Sequence, residues 1–594
     1  MANNKVKIKI NGKDIICSPD QTIMQVARAN DIFIPGLCGH PDFPIKGNCR
    51  ICVVEIKGEN KLSISCHKKV KDGMEISTDS EKVKKARNLN IELIFAEHIE
   101  KCPTCIWRVN CKLLDFAERY KLEIKRFPDR KKRRKIYKFS NAVEIDGTQC
   151  IDCRNCLDAC SLMQDINYLE LNGKGIDQEI TPTKNKKIDC IYCGQCAVHC
   201  PVGAAQEQAH WEMVEKVLER KNGLTIGSGK VVVAQFAPSI RVSIGEEFKL
   251  PYGKIVTGQV VAGLKELGFD YVFDVNFGAD MTTVVEAEEL LKRLAVTPNP
   301  SPTRSSQERE AAKKLLPMFT SCCPAWVKYI EFYHPELIPN LTTSRSPHIH
   351  SAGVIKTYWA KKMNINSKNI IVVSVMPCTA KKYEASRKEL KIKGNLPVDY
   401  VITTREFAWL MKKNNIDFAK LKSKKADNPL GEYSGAAAIY GGSGGVMESA
   451  LRTAQVLACV NKKTSICKTC LDFQSVRGLK GVKETVVKIA DKKLRVAVVN
   501  GIGNIKPVIE NLKRYDYVEV MACPGGCIGG GGQPIPTTQE IREKRIAALY
   551  KIDKNQKLRK AHENEGVKEV FKWLKKQKGD LGHKILHTAY RKRK

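Results

Sequence analysis

No apolar run among the 594 residues is long enough to cross a bilayer; the segment Ile370–Met376 has only the length of a strand. The first residues, MANNKVKIKINGKDII, carry neither a secretory apolar core nor an Arg/Ser-rich amphipathic presequence, and they alternate like a strand. A cytoplasmic chain is expected, with an organelle matrix as the alternative if targeting is internal. Acidic residues are scarce, 64 Asp+Glu against 100 Lys+Arg, for a formal net charge of +36. No nucleic-acid motif accompanies that charge, so solvated basic faces and attraction of an acidic partner protein remain as its readings. The basic residues are spread along the chain, with local runs at Arg130–Lys135 and Arg591–Lys594. At this length one core is excluded and several domains are required, while 43% hydrophobic and 28% charged residues are ordinary for globular protein.

Cysteine, by contrast, is plentiful: 24 residues, most in tight Cys-x-x-Cys groups. Sulfurs that converge locally suit metal clusters in a reducing compartment better than long-range disulfides, and they imply sensitivity to oxygen.

Residues 5 to 17 alternate around Asn11-Gly12, a hairpin signal, and Pro19-Asp20 opens a helical pattern through Ile23, Val26 and Ala27. Cys38, Cys49, Cys52 and Cys66 follow with a spacing that departs from the plant-type ferredoxin run. It resembles the β-grasp [2Fe–2S] domain of complex I large subunits and iron hydrogenases; Cys17 lies outside the set and reads as a small buried hydrophobe. A helix-compatible segment, Ser80–Glu97, leads to His98, Cys102, Cys105 and Cys111. One imidazole and three thiols also suit tetrahedral zinc, and spacing does not exclude it. The order of elements resembles the His/Cys3 [4Fe–4S] site of the same two families. The basic stretch Lys125–Lys138 reads as a linker or exposed face. Cys150, Cys153, Cys156 and Cys160, then Cys190, Cys193, Cys196 and Cys200-Pro201, form two bacterial ferredoxin runs, in which the fourth Cys of each ligates the other cluster. Ser161 stands where the first run usually has Pro, which is not a ligand.

From about Lys230 strand and helix signals alternate. Strands are expected at Val231–Phe236, Tyr271–Val275, Ile370–Met376, Val401–Thr403, Val496–Asn500 and Tyr517–Met521, with a helix at Gly258–Leu267, giving mainly parallel sheet. Ligands bind beyond the carboxyl ends of such strands, where Cys378 and Cys523 lie. Thr297–Gln307 reads as an exposed loop. Three cysteine loops stand out: Thr320-Ser-Cys-Cys-Pro-Ala-Trp326, Met376-Pro-Cys-Thr-Ala-Lys-Lys-Tyr-Glu384, and Val518–Pro534, VEVMACPGGCIGGGGQP. The glycines of the last are expected to let backbone approach a bulky ligand.

Together these loops resemble the three signatures of the [FeFe]-hydrogenases, and the likeness runs from the first domain to His583-Lys-Ile-Leu-His-Thr-Ala-Tyr590. The resemblance implies a multidomain α+β and α/β fold. It comprises a β-grasp [2Fe–2S] domain over 1–79, a His/Cys3 [4Fe–4S] domain over 80–124 and a ferredoxin-like domain with two [4Fe–4S] clusters over 140–210. A large α/β catalytic domain over 226–594 includes a C-terminal small-subunit-like segment. It implies one [2Fe–2S] cluster, three [4Fe–4S] clusters and an H-cluster, a [4Fe–4S] cubane bridged to a diiron unit carrying CO, cyanide and a dithiolate amine. Carried over by position, Cys150, Cys153, Cys156 and Cys200 hold one ferredoxin cubane, and Cys190, Cys193, Cys196 and Cys160 the other. Cys323, Cys378, Cys523 and Cys527 hold the H-cluster cubane, and Cys527 also bridges to the diiron unit. Lys381 hydrogen-bonds a cyanide, with Glu384 in place to hold that lysine if the segment is helical. Cys322 is the terminal proton donor, and Glu286, Ser346 and Glu289 extend its relay to solvent; a thiol near its ordinary pKa relays protons close to neutrality. Met376 and Met521 match cluster-packing positions. Pro324 at the first turn of a helix places Cys323 at its N-cap, where the dipole favours thiolate.

Departures are few: Ala325 where many members have Gly, and His348 where Gln is common. Cys459, Cys467 and Cys470 match no signature; Cys467 and Cys470 make half a zinc site without a second half. Gly501-Ile-Gly503 lacks the third glycine of a dinucleotide turn and is rejected as one. The resemblance implies reversible proton reduction to H2, with ferredoxin or a similar acidic carrier as electron partner, dependence on maturation proteins, and a hydrogenosome-like matrix as the organellar alternative. Rival readings are the catalytic subunit of an NAD-linked bifurcating complex, a hydrogen sensor, and a hydrogenase-like iron–sulfur assembly factor. Cys322 argues against the sensor, and Lys381 with the intact glycine loop against the assembly factor.

Overall fold

The computed structural model describes residues 5–108, 111–219, 229–296, 315–459, 473–490 and 492–593. Cys467, Cys470 and the Thr297–Gln307 loop lie outside the described residues, as does the side chain of Cys459.

The N-terminal hairpin forms as Val6–Ile10 against Lys13–Cys17, with Asn11 and Gly12 both at positive φ, the backbone its two-residue turn requires. These strands join Glu75–Ser77, Val53–Ile56 and Ser63–Ile64 in one five-stranded sheet. The helix Ile23–Ala29 crosses it, closed by a capping box between Thr22 and Gln25. Ile8, Ile10, Ile23, Val26 and Ile76 fill the core, and Cys17 packs there as the small hydrophobe expected of it. Ser80 caps the helix Glu81–Ala96, which delivers His98 and the following thiols.

The basic stretch is largely exposed, as one of its two readings had it, and is tied down from within. Lys131 is buried and pairs with Glu97 at 2.9 Å and Asp152 at 3.0 Å, Arg134 binds Asp152, and Arg126 holds Glu92. Buried ions must be paired, and here the pairing partners sit on two different cluster-binding regions. Strand Ile136–Phe139 already belongs to the dicluster sheet, with Val143–Asp146 and Ala205–Glu207, so that unit begins ahead of residue 140.

The C-terminal part is built on two four-stranded sheets. The first is entirely parallel, in the order Tyr271–Asp274, Val231–Phe236, Ile370–Met376, Tyr400–Thr403. Its strands are near-continuous apolar runs because helices cover both faces. The second runs Met318–Phe319, Tyr517–Met521, Lys492–Asn500, Val482–Ile489, with only the last pair antiparallel. The short strand Met318–Phe319 and the polar-faced Val482–Ile489 carry too little apolar alternation to be read from sequence. Helix Val275–Arg293, buried along most of its length, supplies contacts to both halves of this region.

Candidate active site

The N-terminal thiols gather as their spacing requires. Cys38, Cys49, Cys52 and Cys66 line one cavity, and Cys49 N–H lies 3.5 Å from Cys38 Sγ. His98 is buried, with Nδ1 held at 2.9 Å by Gln149 O, which fixes the ring. Cys102 and Cys105 both feel Cys111, which itself feels Cys200 of the dicluster unit. There Cys160, Cys190, Cys193 and Cys196 line one cavity, and Cys153 and Cys156 feel both Cys150 and Cys200.

In the C-terminal region, three parallel strands end at one place. Strand Ile370–Met376 runs into Pro377-Cys378, Tyr517–Met521 into Ala522-Cys523, and Met318–Phe319 into Thr320-Ser-Cys322-Cys323. Cys323, Cys378, Cys523 and Cys527 line one cavity together with Cys322, Lys381, Met376 and Met521. No described cysteine is in a disulfide. Burial pushes all four thiols up, Cys527 to about 12. Cys323 does cap the helix Pro324–Tyr333 and accepts from backbone N–H groups, yet burial outweighs those bonds. Four convergent, desolvated sulfurs facing a single lysine are the donor set of a thiolate-bound cationic cluster, and such a group fits this cavity.

Lys381 lies on the helix Ala380–Ala385 and donates to Glu384 at 2.6 Å and to Cys322 O at 3.0 Å. Burial opposes its charge, but Glu384 more than compensates and holds the ammonium above its ordinary value. His348 is the unexpected member: its Nε2 donates to Glu384 at 2.6 Å. Gln235 donates to Ser374 Oγ at 2.7 Å, and that hydroxyl faces His348 Nδ1 at 3.3 Å, which fixes the tautomer. Burial first, then Lys381, pushes the imidazole down, so it stays neutral and donates without competing for the carboxylate as a cation. The sequence marked His348 only as a departure; nothing there pointed to Gln235 or Ser374.

Behind the cavity, Glu286 and Glu289 lie on one helix as expected. Glu286 is fully buried; burial raises it to about 8, even though Tyr517 O–H donates to it at 2.6 Å. Its Oε2 and the Oγ of Ser346 find no hydrogen-bond partner among the described residues. Cys322 feels Glu286, and burial lifts the thiol well above its ordinary value, so it is a held proton rather than one titrating near neutrality. Glu289 accepts from Arg293 at 2.6 Å, Thr342 at 2.7 Å and Thr343 at 3.0 Å. Tyr517 and Tyr440, the latter lining the cavity, carried no sequence signal.

The glycine loop meets both the cavity and its neighbours. Gly526 and Gly530 line the cavity. A Cβ at Gly529 or Gly530 would collide with the backbone of Pro524 or Pro377, and one at Gly531 with Cys193 and Gly194 of the dicluster unit. Those glycines thus also admit neighbouring chain. Their contact brings Cys523 Sγ to 3.9 Å from Cys193 O, while Gln195 donates to Gly529 O at 3.0 Å and Thr379 to Tyr192 O at 2.7 Å. Gly501 serves the same loop: its N–H binds Met521 O at 2.8 Å, and Asn500 Oδ1 accepts from Gly525 at 2.6 Å.

Residues 230–531 match the model of the iron only hydrogenase large subunit, C-terminal domain, and residues 539–593 that of the iron hydrogenase small subunit. Residues 3–81 match a 2Fe-2S iron-sulfur cluster binding domain, 87–126 the NADH-ubiquinone oxidoreductase-G iron-sulfur binding region, and 149–204 a 4Fe-4S dicluster domain. The chain is 38% identical to the NADP-reducing hydrogenase subunit of Solidesulfovibrio fructosivorans over 99% of each, and 38% identical to iron hydrogenase 1 of Clostridium pasteurianum over 98% of this chain and 100% of that one. Among solved structures it resembles a variant of an apo [FeFe]-hydrogenase from Chlamydomonas reinhardtii, with a TM-score of 0.55 and 37% identity, covering 65% of this chain and 99% of that one.

Proposed function

The chain belongs to the iron-only hydrogenases, and we propose on that premise how its residues divide the work of 2 H⁺ + 2 e⁻ ⇌ H2. Cys323, Cys378, Cys523 and Cys527 would hold the cubane of the H-cluster, with Cys527 also bridging to the diiron unit. When bound, that cofactor supplies the redox-active metal and the bridgehead amine at which H–H bond chemistry takes place. The observation that carries this assignment is the convergence of these thiols with Lys381 and Cys322 on one buried cavity.

Lys381 presents donors into the cavity while Glu384 and His348 hold it, so its orientation costs nothing at the moment of reaction. Cys322 carries a proton at the cavity wall, and Glu286, Ser346 and Glu289 pass protons outward. Cys38, Cys49, Cys52 and Cys66 would hold a [2Fe–2S] cluster, His98 with Cys102, Cys105 and Cys111 a [4Fe–4S] cluster, and the two ferredoxin groups two more. Those clusters would supply the electron path to the H-cluster. The 3.9 Å approach of Cys523 Sγ to Cys193 O supports the final transfer.

An acidic ferredoxin fits the formal net charge of +36 as carrier. The full-length likeness to an NADP-reducing hydrogenase subunit favours a second reading, membership of a nicotinamide-linked complex. Among the described residues no helix is long and apolar enough to cross a membrane. Protein matured anaerobically should show CO and CN⁻ infrared bands; protein with a full iron load and no such bands refutes the H-cluster assignment. Purification from the native source separates the carriers: a free hydrogenase reduced by ferredoxin, or a complex that copurifies with nicotinamide-binding subunits.

A further inference from the structure

The proton path read above ends at Glu289, but the hydrogen bonds do not. Glu289 Oε2 accepts from Thr343 Oγ1 at 3.0 Å, and that hydroxyl lies 2.9 Å from His587 Nδ1. With the threonine proton committed to the carboxylate, His587 Nδ1–H donates to Thr343 and its Nε2 lone pair is left free. One turn back, at the exposed end of the same short helix, His583 stacks against it with ring centroids 5.0 Å apart. Burial falls steadily along this series, from Glu286, fully buried, through Glu289 at 15% side-chain exposure and half-buried His587, to exposed His583.

All these outer groups open onto one surface cleft between helices Val275–Arg293 and Glu565–Lys575. The groups acting on His587 are His583 on its own element, Glu289 and Lys292 on the first helix, and Arg345 on the preceding loop. Across the cleft stand Lys568, Lys572 and Lys575, with His562 at its edge. Burial holds the imidazole below its ordinary value; His583, Lys292 and Arg345 push the same way and Glu289 opposes them. A neutral imidazole at this point can take a proton on one nitrogen and release one from the other.

We infer that His587, fed by His583, is the proton-collecting mouth of the relay, joined to Glu289 through Thr343. The inference rests on the proposed path through Glu286, Ser346 and Glu289. The step balances: a proton from solvent or buffer bonds to Nε2, the Nδ1 proton passes to Thr343 Oγ1, and the threonine proton passes to Glu289 Oε2. The starting tautomer returns when the ring turns Nδ1 to solvent, takes a second proton there, releases the Nε2 proton to solvent and turns back. In H2 oxidation the same bonds run in reverse. A mouth of this kind has a kinetic reason. Free protons near 10⁻⁷ M, captured at about 10¹⁰ M⁻¹ s⁻¹, reach a lone carboxylate only about 10³ times per second. A surface imidazole draws on the far larger pool of buffer acid.

The test uses matured holoenzyme with infrared bands as the check on an intact cofactor. In dilute buffer, His587→Ala and His587→Gln, the latter keeping a hydrogen-bonding side chain against Thr343, should each slow H2 evolution by about tenfold. The deficit should grow as pH rises, and added imidazole should restore the rate in His587→Ala. His583→Ala should give a smaller loss of the same kind. Glu289→Gln should be slow and unrescued. If His587→Gln works like the parent at every buffer concentration while Glu289→Gln is slow, the mouth lies elsewhere and the inference falls. A loss in His587→Ala that imidazole does not relieve would make the residue structural, which also overturns it. If Glu289→Gln too is fully active, the underlying path through the glutamates is itself wrong.

Discussion

The chain builds two kinds of sulfur cage. The N-terminal one takes Cys38, Cys49, Cys52 and Cys66 from a single short stretch beside a small sheet, whose core Cys52 and Cys66 share. The C-terminal one takes Cys323, Cys378, Cys523 and Cys527 from three strand ends on two sheets, far apart in sequence. In the first, hydrogen bonds within the pairs Cys38–Cys49 and Cys52–Cys66 lower one thiol and raise its partner. In the second, burial dominates and every thiol is driven up. A local cage has its geometry set by nearby backbone. A cage assembled from distant loops can be dry and lined by selected groups, at the cost of needing the whole domain to form.

The largest expected difference is between cages. Cys527→Ser should abolish the CO and CN⁻ bands, whereas Cys38→Ser should remove only the [2Fe–2S] resonance and leave those bands in place. Loss of both signals in Cys38→Ser would mean the cages do not assemble independently. Within the second cage, Cys322→Ala should keep the bands and lose about 10² to 10⁴ in turnover; full activity would take Cys322 out of the relay.

Gly531→Ala forces a methyl group against Cys193 and Gly194. It should slow reduction by an external carrier several-fold while activity with a small dye that reaches the cofactor directly changes little. Equal losses with both donors would mean the glycine supports the cage rather than the junction. The smallest effect is spectroscopic. Glu286, raised to about 8, should be protonated below that pH and ionised above it. A carboxylic-acid infrared band should therefore be present at pH 7, fade above about pH 8, and be missing in Glu286→Gln.

The ferredoxin runs were legible because short spacing marks them, and the chain matches a 4Fe-4S dicluster domain over residues 149–204. The parallel strands Val231–Phe236, Ile370–Met376 and Tyr517–Met521 were legible because buried parallel strands are nearly continuous apolar runs. Sequence does not say what a residue will meet. The basic stretch Lys125–Lys138 is largely exposed, as one of its two readings had it, yet Lys131 within it is buried against Glu97 and Asp152. The glycines of residues 529–531 also bring two loops and a neighbouring unit into contact, which no local pattern announced.

Sequence by itself determined which atoms can bind metal, how many thiol groups there are, and the order in which they stand along the chain, since these follow from residue type and short spacing. Only the tertiary structure decided that Cys523 meets Cys193, that His348 steadies Glu384 beneath Lys381, and that His587 joins Glu289 through Thr343. Each of those contacts joins residues well separated along the chain. Their geometry depends on how sheets and helices pack, which no local pattern encodes.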